Sequence, residues 1–441
     1  MRYLFFKIQL LLFVLCVMAS CSDSNDEPTV QEPFLEITPS GGEEISSEGG
    51  KLTLTVKSNV DWEVTSNQYW CKVTAGDALT GNQTLNLEVE ENLSQNSRQA
   101  TLSFTYSATD GSHTSEVTVL QKGQEFVAGG TYKIPVVFHV LYSNRNMPTQ
   151  YVREGHLQTV LDEVNKLYSE CSQDLKLEFV MATVDPDGNL MEEPGVDRIP
   201  WASIPIDCEK FMSSSDDKYL DLIWNPDEYM NIMLYKFSNS AIAGIAQFPF
   251  LLAPDYLEGC EIWTGGALSQ ENLNRPQCIS VNSDYVYNMV SLTPETPDGD
   301  DGCVAMTIAH ELGHYLGLRH VFSESLWGCR DTDYCDDTPT YDRSAYEKLV
   351  ATYLGTSNFK DYLDELIQRE SCTDGSVFVS DNIMDYSISY SNKFTSDQAE
   401  RIRYILEKGV FVPGPKNRTN ETKSRSIGKL DLPMTIMLSL I

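Results

Sequence analysis

The chain has 441 residues, enough for two or three domains, and its 41% hydrophobic and 22% charged residues exclude wholesale disorder. Its 64 acidic residues against 32 basic ones give a net charge of −32, which excludes binding of nucleic acid through its phosphates. The surplus of carboxylates reads as a solvated acidic surface that also leaves oxygen ligands for calcium.

The N-terminus, MRYLFFKIQLLLFVLCVMASCSDSNDEP, places Arg2 and Lys7 ahead of an apolar run over residues 8–18. That run is too short to span a bilayer comfortably and has the form of an export signal, residues 1–20. It ends in Met18-Ala19-Ser20-Cys21, which resembles a bacterial lipobox. The acidic stretch after it resembles the surface-export signal of Bacteroidetes lipoproteins. The resemblance implies acylation of Cys21 and anchoring to the outer membrane, exposed at the cell surface; the other reading is an ordinary cleaved signal with an incidental cysteine. No later run of the sequence is long and apolar enough to span a bilayer, so the lipid would be the only membrane attachment. Residues 21–32 are polar, acidic and Pro-containing, and read as a tether.

Residues 33–124 read as all-β. The segments KLTLTVKS, DWEVTS, QTLNLEVEE, RQATLSFTYS and SEVTVLQKG alternate apolar and polar residues between turn-rich stretches, which predicts a small immunoglobulin-like β-sandwich. The opening Phe34-Leu35-Glu36-Ile37, Gly49-Gly50 before a strand, Trp62 and Trp70, the ENLSQNSRQATL turn and the closing Gln121-Lys122-Gly123 resemble the BACON module. Its name implies glycan binding; the plainer reading is a spacer, with both tryptophans in the core. Cys71 follows Trp70 in a strand-like run and reads as buried.

After a linker at 125–130, residues 131–412 read as an α/β (α+β) domain. TYKIPVVFHVLY, LKLEFVMATV and MNIMLYKF are strand candidates. Between the first two lies a helix, on which Leu157, Val160, Leu161, Val164 and Leu167 share one face. AIAGIAQFPF reads as an edge strand, because Pro249 interrupts it. TSDQAERIRYILEKGV reads as a helix capped by Thr395 or Ser396. In the tail, 413–441, the run LDLPMTIMLSLI is apolar but too short to span a membrane, and the sequence assigns it no purpose.

Three of the chain's six histidines fall in CVAMTIAHELGHYLGLRHVF, residues 303–322. A helix turns about 100° per residue, so His310 and His314, at i and i+4, face one point and can share a metal ion. On a continued helix His320 would lie on nearly the opposite face. Gly317 resolves this: glycine tolerates positive φ and commonly ends helices, so the chain can turn and bring His320 back. Three neutral imidazoles with an open position suit catalytic zinc, and Glu311 is placed to act as general base on a metal-activated water.

The complete H-E-x-x-H-x-x-G-x-x-H pattern resembles that of the metzincins, a clan of zinc endopeptidases. DNIMDYS supplies Met384 for the clan's Met-turn, and Tyr386 matches a tyrosine that touches the zinc or the oxyanion in some members. GCRDTDYCDDTPTYD and IPVVFHVLY resemble the pappalysin family, which includes ulilysin. The resemblance implies a twisted sheet, an active-site helix, cleavage of extended peptides paired along GIAQFP, and a Cys329–Cys372 disulfide. It also implies calcium at Asp331, Asp333, Asp336 and Asp337, a loop that reads equally well as solvated acid. A second bridge, Cys303–Cys335, is expected outside the family pattern. The acid that accompanies preference for basic residues is missing from Ser387-Ile388-Ser389-Tyr390-Ser391, so that preference is not carried over. Two other functions fit parts of the sequence: a glycan- or host-surface-binding lipoprotein with a vestigial protease domain, and a protease directed at glycoproteins such as mucin.

Overall fold

A computed structural model describes residues 32–39, 42–74, 79–172, 175–287, 293–295, 304–356, 358–386, 388–417 and 428–440. Residues 1–31, which include Cys21 and the run read as an export signal, and Cys303 lie outside the described residues. Among the described residues, no helix is long and apolar enough to cross a membrane.

Residues 35–121 form two sheets. One orders the strands Leu35–Thr38, Gly50–Ser58, Gln83–Val89 and Cys71–Thr74; the other orders Glu43–Ile45, Gly111–Gln121, Arg98–Ala108, Asp61–Ser66 and Leu79–Thr80. Strand alternation sends Leu54, Val56, Leu85, Leu87, Leu102 and Phe104 into one core between them. Trp62 and Trp70 belong to that core, each 3% exposed, and Cys71 lies beside them. The tryptophans therefore pack the core and present no open platform for a sugar.

The main sheet of the following domain is mixed and seven-stranded. Its long strand Tyr132–Tyr142 pairs in parallel with Leu177–Met181, Val196–Pro200 and Met230–Tyr235. Met230–Tyr235 continues in parallel to Ile279–Asn282, which pairs antiparallel with Ile242–Gln247. Both faces are covered, which is why these strands read as continuous apolar runs. On one face, Val136, Phe138, Val140, Ile232 and Leu234 pack with the helices His156–Cys171 and Ala305–Tyr315. On the other, Leu141, Met233, Tyr235 and Ile245 pack with Ile206, Phe211 and Met212.

The predicted helix with Leu157, Val160, Leu161 and Val164 on its apolar face is present as His156–Cys171. The helix Ser396–Lys408 starts at Thr395, whose side chain accepts from Gln398 N–H in a reciprocal capping box. One expectation is corrected. Ile242–Gln247 is not an edge strand, because Ile436–Leu440, from the run without an assigned purpose, pairs antiparallel along its outer side. Pro249 falls just beyond the paired residues, so it does not interrupt the ladder.

Candidate metal centre

The helix Ala305–Tyr315 is fixed in rotation by Ala305, Ile308, Ala309 and Leu312, all in the core. That rotation places His310 and His314 side by side, ring centroids 4.7 Å apart. The helix then stops as the glycine predicts. Gly317 has φ 90°, its N–H donates to His314 O at 3.0 Å, and Leu318 N–H donates to Gly313 O at 2.9 Å. These two bonds form a Schellman closure. A Cβ at Gly317 would lie 2.6 Å from Ile405 Cγ1, so both the turn and the packing require glycine.

Past this turn His320 comes back to the pair, with ring centroids 5.3 Å from His310 and 4.5 Å from His314. One ligand atom from each of the three histidines lies within 4.8 Å of the others; among the described residues this is the one such cluster of three or more metal-ligating side chains.

Each imidazole is oriented through Nδ1. His310 Nδ1 lies 2.7 Å from Ile383 O, His314 Nδ1 2.8 Å from Leu318 O, and His320 Nδ1 2.7 Å from Glu324 Oε1. Only N–H can satisfy these acceptors, which fixes the tautomer and leaves each Nε2 with a lone pair. Burial lowers the His310 pKa to about 4. Burial and then the neighbouring rings hold His314 well below its ordinary value, and burial and then His310 do the same for His320. All three are neutral, as metal ligands must be.

The site fits a metal ion on its own geometry. His314 Nε2 and His320 Nε2 stand 3.1 Å apart, two lone pairs facing each other with no proton between them. His310 Nε2 and both Glu311 carboxylate oxygens are buried without a hydrogen-bond partner. Buried polar atoms are rarely left so, and a cation with its water would satisfy them together. Three imidazoles suit zinc.

Glu311 is fully buried. Burial pushes its carboxyl up to about 8, with the nearby Ser439 hydroxyl acting the other way. Gly244 makes room for it: a Cβ there would sit 2.5 Å from Glu311 Oε1. Met384 is fully buried beneath the helix, and a Cβ on Gly313 would overlap its sulfur. Its turn is tied down on two sides. Met384 N–H donates to Asn382 Oδ1 at 2.9 Å, and the Asn382 and Gln398 amides exchange bonds at 2.7 and 3.2 Å. Tyr386 lies 4.6 Å from the His320 ring, with the Arg343 guanidinium 4.3 Å over its face. Its hydroxyl donates to Leu438 O, a carbonyl of the C-terminal strand, and burial raises its pKa.

Sequence reasoning missed several supporting residues. Gly244 and Gly313 carry no signal, because what they must avoid is distant in the chain. Glu324 lies four residues past His320, and that spacing is visible in the sequence, but without a helix there it implies nothing. Asp385, buried in DNIMDYS, accepts from Tyr341 at 2.5 Å and pairs with Arg369 at 3.4 Å.

The loop after the motif follows the expectations only in part. Cys329 and Cys372 are bonded, with Cα atoms 5.9 Å apart. Cys335 is a free, buried thiol and not half of a bridge; its sulfur lies 3.7 Å from Asp333 O. Asp333 is buried beside Asp331, and its carboxyl is pushed up to about 7, first by burial. Asp336 and Asp337 are exposed, and Asp337 Oδ2 accepts from Asp397 N–H at 3.1 Å. The four aspartates do not converge on one point.

Together the fold and this centre define a metalloprotease domain set behind a small β domain. The peptidase family described as pregnancy-associated plasma protein-A matches residues 264–407, and the family described as viral BACON domain matches residues 35–124. An extracellular metalloprotease of Arthroderma benhamiae is 26% identical over 275 residues, covering 61% of this chain and 75% of its own. A second extracellular metalloprotease of that species is 33% identical over 115 residues, covering 26% of this chain and 33% of its own. Among solved structures, Tannerella forsythia mature mirolysin in complex with a cleaved peptide is 21% identical with a TM-score of 0.40, covering 63% of this chain and 92% of its own.

Proposed function

We propose that the chain is a zinc-dependent endopeptidase of the metzincin type that hydrolyses extended peptide segments of extracellular proteins. One observation carries the reading: three neutral imidazoles aim bare Nε2 atoms at one point, next to a buried carboxylate with no partner. His310, His314 and His320 would hold the zinc. When bound there, zinc lowers the pKa of a water molecule and polarises a carbonyl.

The chain's own residues supply the rest. Glu311, its carboxyl raised by burial, takes a proton from the attacking water and passes it to the leaving amine. Tyr386 donates its hydroxyl to the oxygen of the carbonyl under attack. Met384 forms the floor of the site and touches no substrate. A peptide would pair with the outer backbone groups of Ile242–Gln247, which Ile436–Leu440 occupies in this structure.

Calcium, which takes about six to eight oxygen ligands, has no converging set in the four aspartates, and this reading assigns it no part. The β domain serves as a spacer, consistent with its buried tryptophans. Export and anchoring through Cys21 to the outer membrane rest on the N-terminal sequence. The Cys329–Cys372 disulfide suits an oxidising compartment, and the curated relatives carry the name extracellular metalloprotease.

The test is zinc analysis of purified protein combined with cleavage of a denatured protein, with Glu311→Ala as control. Stoichiometric zinc and cleavage abolished by Glu311→Ala support the reading. Stoichiometric zinc with no cleavage of any peptide library, either by the full chain or by variants from which the strand Ile436–Leu440 is removed, refutes it.

A further inference from the structure

The geometry points to the segment Ile436–Leu440 as a built-in competitor: it fills, in cis, the strand position that a peptide substrate would take, and substrate enters only when it leaves. This rests on the protease reading above. The segment runs antiparallel along Ile242–Gln247, with Ile436 opposite Gln247, Met437 opposite Ala246, Leu438 opposite Ile245 and Ser439 opposite Gly244. That ladder uses the backbone groups an incoming peptide would need.

The segment also reaches the chemistry. Tyr386, the residue placed to polarise a substrate carbonyl, spends its hydroxyl on Leu438 O. The next residue, Ser439, is 5% exposed and lies across from Gly244, the glycine whose missing side chain makes room for Glu311. Strand alternation turns Ile436 and Leu438 to the other face, against the apolar cluster containing Ile206, Phe211 and Ile245. A small residue over the glutamate, flanked by aliphatic residues, is therefore the side-chain pattern this cleft accepts.

The approach to the cleft is anchored as well. Gly428 O accepts from Asn272 at 2.9 Å, Leu430 N–H donates to Asn272 O at 3.0 Å, and Arg275 donates to Leu432 O at 3.1 Å. Thr435 O accepts from Phe248 N–H at 2.8 Å. Leu432 packs with Phe250, Leu273 and Phe411. A strand tethered this way competes at an effective concentration on the order of millimolar, above what most free substrates reach.

The experiment compares three zinc-loaded proteins on a dye-quenched denatured protein: the full chain, Ser439→Arg, and a chain ending at Asn417. Arginine at 439 forces a long cation onto the buried face of the strand and expels it; this variant keeps the test valid if the truncated chain fails to fold. Both variants are expected to gain at least tenfold in kcat/KM, chiefly through KM. A synthetic peptide of residues 429–441 is expected to inhibit them competitively, where a scrambled peptide does not. Binding of the labelled peptide to Ser439→Arg carrying Glu311→Ala, read by fluorescence anisotropy, is independent of turnover. Unchanged kcat/KM in zinc-loaded variants, or no specific peptide binding, overturns the inference. Specific peptide binding with no cleavage by any protein upholds it and overturns the protease reading instead.

Discussion

The Nδ1 of His320 lies 2.7 Å from Oε1 of Glu324, so the third imidazole is held by a carboxylate while the other two are held by backbone carbonyls. A carboxylate partner both fixes the ring and raises its basicity as a ligand. Glu324→Gln keeps the shape and removes the charge. It is expected to weaken zinc affinity by about 10- to 100-fold, measured by competition with a calibrated chelator. Affinity unchanged from wild type would show that Glu324 only fills space.

Two glycines bear on the site through what they leave out. Gly244→Ala would press a methyl group against the Glu311 carboxylate; activity is expected to fall at least tenfold while zinc stays bound, which metal analysis and kinetics separate. Gly313→Ala would collide with the Met384 sulfur and is expected to cost about 1–3 kcal/mol of stability, as overpacking does, read by denaturant unfolding.

Gln398 joins the N-terminus of the last long helix to the turn that holds Met384: its amide pairs with Asn382 while it completes the cap with Thr395. Gln398→Ala leaves the buried Asn382 amide short of partners, at a cost of about 1–3 kcal/mol. Because Ile383 O orients His310, the variant is also expected to lose zinc affinity. A destabilised variant with wild-type zinc affinity would show that the turn holds without it.

The bridge between Cys329 and Cys372 closes a separation of 43 residues. A chain-entropy estimate for such a loop is about 4 kcal/mol. Replacing both cysteines with serine, or adding reductant, is expected to lower the thermal midpoint and to expose the loop between His320 and Met384 to proteolysis. An unchanged midpoint would contradict this.

The metal centre was the most legible part of the sequence, because its logic is local. His310 and His314 follow from the helical period, and Gly317 follows from the need for the helix to stop. The structure supplies the very closure that this glycine permits. The alternating strands of the first domain and the capped helix after Thr395 were legible for the same reason. What could not be read depends on non-local pairing. Nothing in AIAGIAQFPF says that LSL from the far end of the chain will lie against it, so a strand with two neighbours read as one with a free side. The state of Cys335 was not legible either: it is buried and free, with its sulfur turned to Asp333 O.

The pairing of Ile436–Leu440 with Ile242–Gln247 bears on how copies of the protein behave in concentrated solution. A sheet that ends in a flat, apolar, unpaired strand is a template for joining another copy edge to edge. In this chain the five-residue strand Ile436–Leu440 covers that template and becomes the edge itself, and short edge strands are poorer templates. Removing it to open the cleft would leave the run from Ile242 to Gln247, buried along its whole length at present, free to pair with whatever extended segment is nearby, including the same run of a second molecule. The net charge of −32 opposes that association at low ionic strength and less so as salt screens it. The opened form should therefore be the one that precipitates on concentration in salt, and the closed form the one that can be stored.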